Sequence, residues 1–440
     1  MTTFPKYNRY KDSSVEWLGE IPEHWEVCAL RAAAALYVEK NQPNLPVLSV
    51  YREYGVIHKD SRDDNHNATS LDTSNYKVVR PGDLAVNKMK AWQGSLGVSE
   101  HHGIVSPAYI TCRLNQEKVT GRYIHYLLRS KSLIGALDSI SYGVRDGQWD
   151  MRFEDFKKIA ITIPPKSEQD RIVAFLDHKT EQIDALIAKK QRQIELLDEQ
   201  KAILINRAVT RGLNPNAKLK PSGIEWLPEI PEDWTSIKLR HLAALIQTGP
   251  FGSQLHSEEY VENGTPVINP SHMRDARIIP DFRCTITDKK VTALSRHKLM
   301  CEDIVFARRG ELGRCGLVTQ KEEGWICGTG SLLMRPKRGY IDSEYLALAL
   351  SDPHVGEVLT LQSVGSTMDN LNTGMISNLA VPMPPKMDQA EIVKSVHKTE
   401  TALQKLRLNF DAQIQSLKTL RSTFITHAVT GRIKLQNPNN

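Results

Sequence analysis

The sequence predicts an α+β protein: two similar strand-rich domains separated by a pair of long antiparallel helices, a coiled coil within a pseudo-two-fold internal repeat. Three observations predict it. Glu16-Trp17-Leu18-Gly19-Glu20-Ile21-Pro22-Glu23-His24-Trp25 returns 209 residues later as Glu225-Trp226-Leu227-Pro228-Glu229-Ile230-Pro231-Glu232-Asp233-Trp234. Ile163-Pro164-Pro165-Lys166 returns as Met383-Pro384-Pro385-Lys386, and Ala208-Val209-Thr210 as Ala428-Val429-Thr430, both 220 residues later. A repeat of that length is a domain plus a connector, far beyond the period of a solenoid. Thirdly, each half changes texture after its Pro-Pro pair, from punctuated short apolar runs to an unbroken stretch of helix formers.

The strand-rich part of each half comes first, over about residues 3–163 and 221–381. Short runs such as Val47-Leu48-Ser49-Val50-Tyr51, Asp83-Leu84-Ala85-Val86 and Asp303-Ile304-Val305-Phe306-Ala307 lie between Gly, Pro and Asn turn signals. That pattern predicts a mixed domain dominated by strands. Short helices are expected over 123–137 and 345–359. The domain limits read as 1–163 and 213–381, with helices over 164–212 and 382–440, the last including a tail.

From 166 to about 211 there is no Pro or Gly. Pro164-Pro165 supplies a start and Gly212 with Pro215 a stop. Spacings of four and three place Leu176, Ile183, Ile187, Ile194, Leu197 and Leu204 on one seam, with polar members at Thr180, Lys190 and Lys201. Adding 220 gives Val396, Leu403, Phe410, Ile414, Leu417 and Phe424, so the seam survives in register. Helices of about 45 residues would be ~65–70 Å long. Either alone could lie on its own domain, but two matched 3.5-residue seams favour mutual packing. An antiparallel pair would let Lys190 face Glu400.

Bulk properties narrow the function. With 440 residues, 40% hydrophobic and 25% charged, the chain is long enough for two to four cores. A net charge of +6 permits a polyanionic partner without demanding one. Six cysteines without a Cys-x-x-Cys pair read as reduced thiols, not a zinc site. Residues 1–6 lack the character of a signal peptide, and the apolar run at 32–38 is too short to span a bilayer. A cytoplasmic chain without a membrane partner is expected. Phosphate-binding glycine loops, His-Glu-x-x-His, Gly-x-Ser-x-Gly and the Asn/Asp-Pro-Pro-aromatic tetrad are all missing from the sequence. No catalytic, cofactor-binding or metal-binding residues are expected. Asp281 near Asp288-Lys289-Lys290 has no counterpart in the first half, and His101-His102 is equally isolated.

Matching loops carry the candidate binding residues. In the first half Lys88, Lys90, Trp92 and Gln93 follow an expected strand, and Arg308, Arg309 and Arg314 follow its counterpart. Lys and Arg neutralise phosphates, while Arg and Gln also read base edges. A second pair of loops offers Tyr142, Arg145 and Gln148 against Thr367 and Asn370. A third candidate, Gly249-Pro250-Phe251-Gly252-Ser253-Gln254, contributes Ser253 and Gln254.

Over nearly its whole length the chain resembles the specificity subunits of type I restriction-modification systems. The resemblance rests on the repeated Glu-Trp-Leu…Ile-Pro…Trp opening at 16–25 and 225–234. It rests also on the helix start Ile163-Pro164-Pro165-Lys166-Ser167-Glu168-Gln169, matched by Met383-Pro384-Pro385-Lys386-Met387-Asp388-Gln389. The exit Ala208-Val209-Thr210-Arg211-Gly212 becomes Ala428-Val429-Thr430-Gly431-Arg432, its last two residues exchanged. The family implies two target recognition domains, each reading half of a bipartite, asymmetric site in double-stranded DNA. The helices would set the spacer and dock two modification subunits. S-adenosylmethionine, ATP and Mg would be used by those modification and by restriction subunits, none being bound by this chain. A fused methyltransferase–nuclease would need the missing catalytic motifs; a helical scaffold joining protein partners without DNA remains the alternative.

Overall fold

The computed structural model describes residues 4–62, 69–145, 148–363 and 370–435, and of residues 144, 145 and 148 the backbone alone. They form two compact units: Met1–Gln191 with Phe410–Asn440, and Arg192–Asn409. Each unit therefore takes one strand-rich domain and part of both long helices.

In the first unit β1 (Ala34–Leu36), β2 (Leu84–Asn87), β3 (Leu96–Val98) and β4 (Tyr109–Leu114) form an antiparallel sheet in the order β1-β4-β2-β3. Successive strand side chains point to opposite faces. Accordingly Leu84 and Val86 join the main core with Ile110, Cys112 and Leu127. Ala85 turns the other way, onto Leu48, Val50, Val56, Val79 and Val105. The helix expected over 123–137 is instead two, α1 (Gly121–Leu128) and α2 (Lys131–Ser139). Thr120 and Ser130 supply a hydroxyl cap to each, so the chain restarts its helix at Ser130 rather than continuing.

The long helix α3 (Lys166–Arg211) follows. In the second unit β5 (Ala243–Thr248), β6 (Ile304–Ala307), β7 (Cys315–Leu317) and β8 (Ser331–Pro336) repeat the topology in the order β5-β8-β6-β7. Ile304 and Phe306 face one core and Val305 and Ala307 another. The expected helix over 345–359 is likewise split, into α4 (Ser343–Leu350) and α5 (Pro353–Ser363), where Pro353 opens the second piece. The last helix, α6 (Lys386–Val429), is the counterpart of α3.

The repeated words of the sequence are the joints. Gln169 Nε2 donates to the carbonyls of Pro164 and Lys118, both at 2.9 Å, and its Oε1 accepts from Thr120 N at 2.8 Å. Gln389 does the same in the second unit, to Pro384 O at 2.9 Å and from Asp342 N at 2.7 Å. Both glutamines are buried, each fastening a long helix to the turn before the short one. The Tyr123 hydroxyl donates to Thr162 O at 3.1 Å, with Val429 O at 3.4 Å. Tyr345 lies 3.2 Å from Pro382 O and 3.1 Å from Val209 O. The exchanged glycine stands one residue earlier in the repeat: α3 ends at Arg211, directly before Gly212 (φ 73°), and α6 ends at Val429, two residues before Gly431 (φ 71°). A Cβ there would lie 3.1 Å from the Trp234 ring at Gly212, and 2.3 Å from Pro22 at Gly431. Positive φ and close packing on the repeated opening both demand glycine.

Within each unit the helix segments run antiparallel. In the first, Phe175 meets Phe424 at a ring separation of 5.9 Å, Asp184 pairs with Arg421 at 2.5 Å, and Lys190 Nζ sits 4.7 Å over the Phe410 ring. In the second, Asp198 pairs with Arg407 at 2.8 Å and Lys201 with Glu400 at 3.0 Å. The expected Lys190–Glu400 pairing is thus replaced: Glu400 takes Lys201 and Arg277, the latter at 2.6 Å. Along the seam Leu176, Ile183, Ile194, Val396 and Ile414 are buried, while Ile187, Leu197, Leu403, Phe410, Leu417 and Phe424 are half-buried. Leu204 departs from it, 39% exposed, and Ile205 packs against the core in its place. A straight α-helix drifts by about 20° per heptad from a strict seven-residue repeat, and by Leu204 the drift has carried the seam to the next residue.

Candidate nucleic-acid interface

Three connections of the second unit leave one end of its sheet: residues 249–254 after β5, 308–314 after β6, and 328–330 before β8. Gly249 N donates to Ser331 O at 2.9 Å and Arg308 N to Gly330 O at 2.9 Å, which draws the three together. A Cβ on Gly249 would stand 1.9 Å from Gly328 O, so only glycine permits the approach. Gln254 is spent on its own turn, its Oε1 accepting from Phe251 N at 2.9 Å, while Ser253 and Phe251 are exposed.

Arg308 and Arg309 divide their work. Leu371 N donates to Arg308 O and Arg308 Nε donates to Leu371 O, both at 3.0 Å, so Arg308 is a half-buried fastener. Arg309 is exposed, and its Nε donates to Asn370 Oδ1 at 3.0 Å. Arg314 closes an ion pair with Glu311, so its charge is locally neutralised. Thr367 lies outside the described residues.

The first unit places its loops by the same bond. Met151 N donates to Lys88 O at 3.0 Å, and residues 88 and 151 stand 220 before Arg308 and Leu371. Lys88 Nζ lies 3.3 Å from Asp150, the position matching Asn370. Trp92 donates through Nε1 to Met89 O at 3.2 Å, and its ring centroid is 6.1 Å from that of Trp149. Gln93 is half-buried in the same turn, closed by Gly94 at φ 88°. Lys90 and Tyr142 are exposed beside them. The side chains of Arg145 and Gln148 lie outside the described residues. Sequence reasoning passed over Asp150; the 220-residue offset onto Asn370 was the signal that could have found it.

Electrostatics around these loops hold the scaffold firm. Arg129 on the end of α1 donates to Tyr51 O (3.3 Å), Leu96 O (2.9 Å) and Arg52 O (2.6 Å), tying the 51–55 turn to the start of β3. Burial brings its guanidinium down to about 10. Hydrogen bonds from Arg80 and then Tyr37 hold Glu39 down to about 2. Elsewhere in the second unit His272, Asp281 and Cys284 cluster with ligand-type atoms within 4.8 Å. Asp281 is occupied by Arg283, whose guanidinium lies 2.8 Å away, and His272 Nδ1 accepts from Asn269 N at 3.3 Å. A cation would have to displace both. Among the described residues no helix is long and apolar enough to cross a membrane.

Comparison with known proteins agrees with the repeated fold. The family model described as the type I restriction modification DNA specificity domain matches residues 39–196 and 231–410, well over half the chain. The chain is 23% identical to the MjaVIII specificity subunit of Methanocaldococcus jannaschii over 95% of each protein. It is 22% identical to the EcoKI specificity subunit of Escherichia coli K12, over 81% of this chain and 76% of that one. Among solved structures, one described as showing complex assembly and conformational transition of the type I R-M system has a TM-score of 0.65 at 16% identity, covering 93% of this chain and 98% of its own. The HsdS subunit from Thermoanaerobacter tengcongensis has a TM-score of 0.50 at 17% identity, covering 94% and 98%. The two family matches, one on each half of the repeated fold, show that this chain belongs to the type I restriction-modification DNA specificity family.

Proposed function

We propose that this DNA specificity subunit reads a bipartite site in double-stranded DNA, one half with each unit, through the loops at the end of each four-stranded sheet. The observation that carries the reading is the shared anchoring of two basic loops, Lys88 to Met151 and Arg308 to Leu371, with unlike side chains on the same frame. A common frame with differing contacts suits two unlike half-sites. The chain contributes recognition; methyl transfer from S-adenosylmethionine and ATP- and Mg-dependent restriction belong to modification and restriction subunits docked on it, in a cytoplasmic complex. A scaffold indifferent to DNA gives no reason for paired basic loops.

Binding of the assembled complex to duplex DNA tests this. Affinity should fall with salt, and Lys88→Ala with Lys90→Ala should flatten the slope of log K against log salt by about 0.9 for each phosphate no longer neutralised. Sequence preference should persist at the other half-site. Binding with no preference among duplex sequences would remove the reading.

A further inference from the structure

We propose that Arg309, oriented by Asn370, reads a guanine in the major groove within the half-site of the second unit. This rests on the DNA reading above and names the base it takes. Arg309 is exposed, and Nε alone is committed, to Asn370 Oδ1 at 3.0 Å. Its two terminal amino groups have no partner among the described residues. A guanidinium has only donors, so the Asn370 atom facing it is the oxygen, and the amide nitrogen is turned away as a further donor. Fixing Nε removes most of the freedom of the fork, and two parallel N–H groups match O6 and N7 of guanine.

Asn370 is itself held. Its neighbour Leu371 exchanges two 3.0 Å hydrogen bonds with Arg308, so segment 370–371 is clamped to the loop that carries Arg309. Arg308 is thus the anchor, Asn370 the positioning residue and Arg309 the reader. The first unit keeps the anchor and changes the reader. Lys88 O accepts from Met151 N as Arg308 O does from Leu371 N, but Met89 stands where Arg309 would and Asp150 where Asn370 would. Guanine reading by this device therefore belongs to one half-site only.

Mapping methylated positions in cells carrying the full system would give the bipartite site. Duplexes of that site with 7-deazaguanine at each guanine in turn, which lack the N7 acceptor, would then be bound to the assembled complex. For the natural chain one guanine should be sensitive, by about tenfold or more. Arg309→Ala should abolish that sensitivity at that guanine alone, and Asn370→Ala should reduce it, with the other half-site unchanged. Sequence-specific binding in which no guanine's sensitivity depends on Arg309 would overturn the proposal and leave the DNA reading standing. A uniform loss over all sequences, with a salt slope lower by about one, would make Arg309 a phosphate contact and overturn it too. Absence of sequence preference in the natural complex would instead overturn the reading on which it rests.

Discussion

At the scale of single residues, burial and hydrogen bonding decide what a side chain can do. His125 on α1 packs against two glycines: a Cβ on Gly55 would lie 2.9 Å, and on Gly97 3.2 Å, from its ring. Burial, and next the nearby Arg129, press the imidazole down to about 3 from 6.5. Between those values the unfolded chain holds the proton and the folded one does not. Stability is therefore complete above pH 6.5 and falls as pH drops, by about 1–2 kcal/mol at pH 5. Chemical denaturation at pH 7 and pH 5 should show the advantage of the natural chain over His125→Gln shrinking by that amount. The buried glutamines make a second case. Gln169→Ala strands Thr120 N and two carbonyls, and should cost about 3 kcal/mol, read as a lower denaturation midpoint. Gln389→Ala should cost the second unit a similar amount, through Asp342 N and Pro384 O.

At the scale of elements, the helices show what periodicity reveals and where it stops. The absence of Pro and Gly marked the first and the 220-residue offset the second, and α3 begins and ends where the sequence signals stand. The seam was legible as far as Leu197, but a fixed seven-residue count cannot follow the drift that exposes Leu204 and buries Ile205. Partner choice was not legible at all: antiparallel register depends on packing across the pair, so Glu400 meets Lys201 and Arg277 instead of Lys190. Truncation separates the two seam positions. Ile194→Ala, at 3% exposure, should lower stability by about 2–4 kcal/mol, and Leu204→Ala by well under 1. Equal losses would restore Leu204 to the seam. The exposed Asp198–Arg407 pair should show a double-mutant coupling of only about 0.2–1 kcal/mol.

At the scale of the whole molecule, one architecture is used twice, with unlike side chains on its matched loops. The sheet order, the buried glutamine, the tyrosine bridge and the glycine stop recur in both units. The units differ in their smaller sheets, and also in the side chains of two matched loop pairs, residues 88–94 with 150–151 and 308–314 with 370–371. The sequence already showed basic loops at those places, because charge and position repeat. It could not show that Arg308 is a fastener and Arg314 a neutralised charge, since both depend on backbone and side-chain partners distant or folded back in space. Independent reading has a direct consequence. Exchanging residues 235–379 for those of a relative, between the repeated opening and the final strand before α6 (Ala380–Met383), preserves every joint named above within the first unit. Methylation mapping should then return a site with one half replaced and the other intact. The division holds only if each unit's contacts are its own, so a change in both halves would mean that recognition is shared across the molecule.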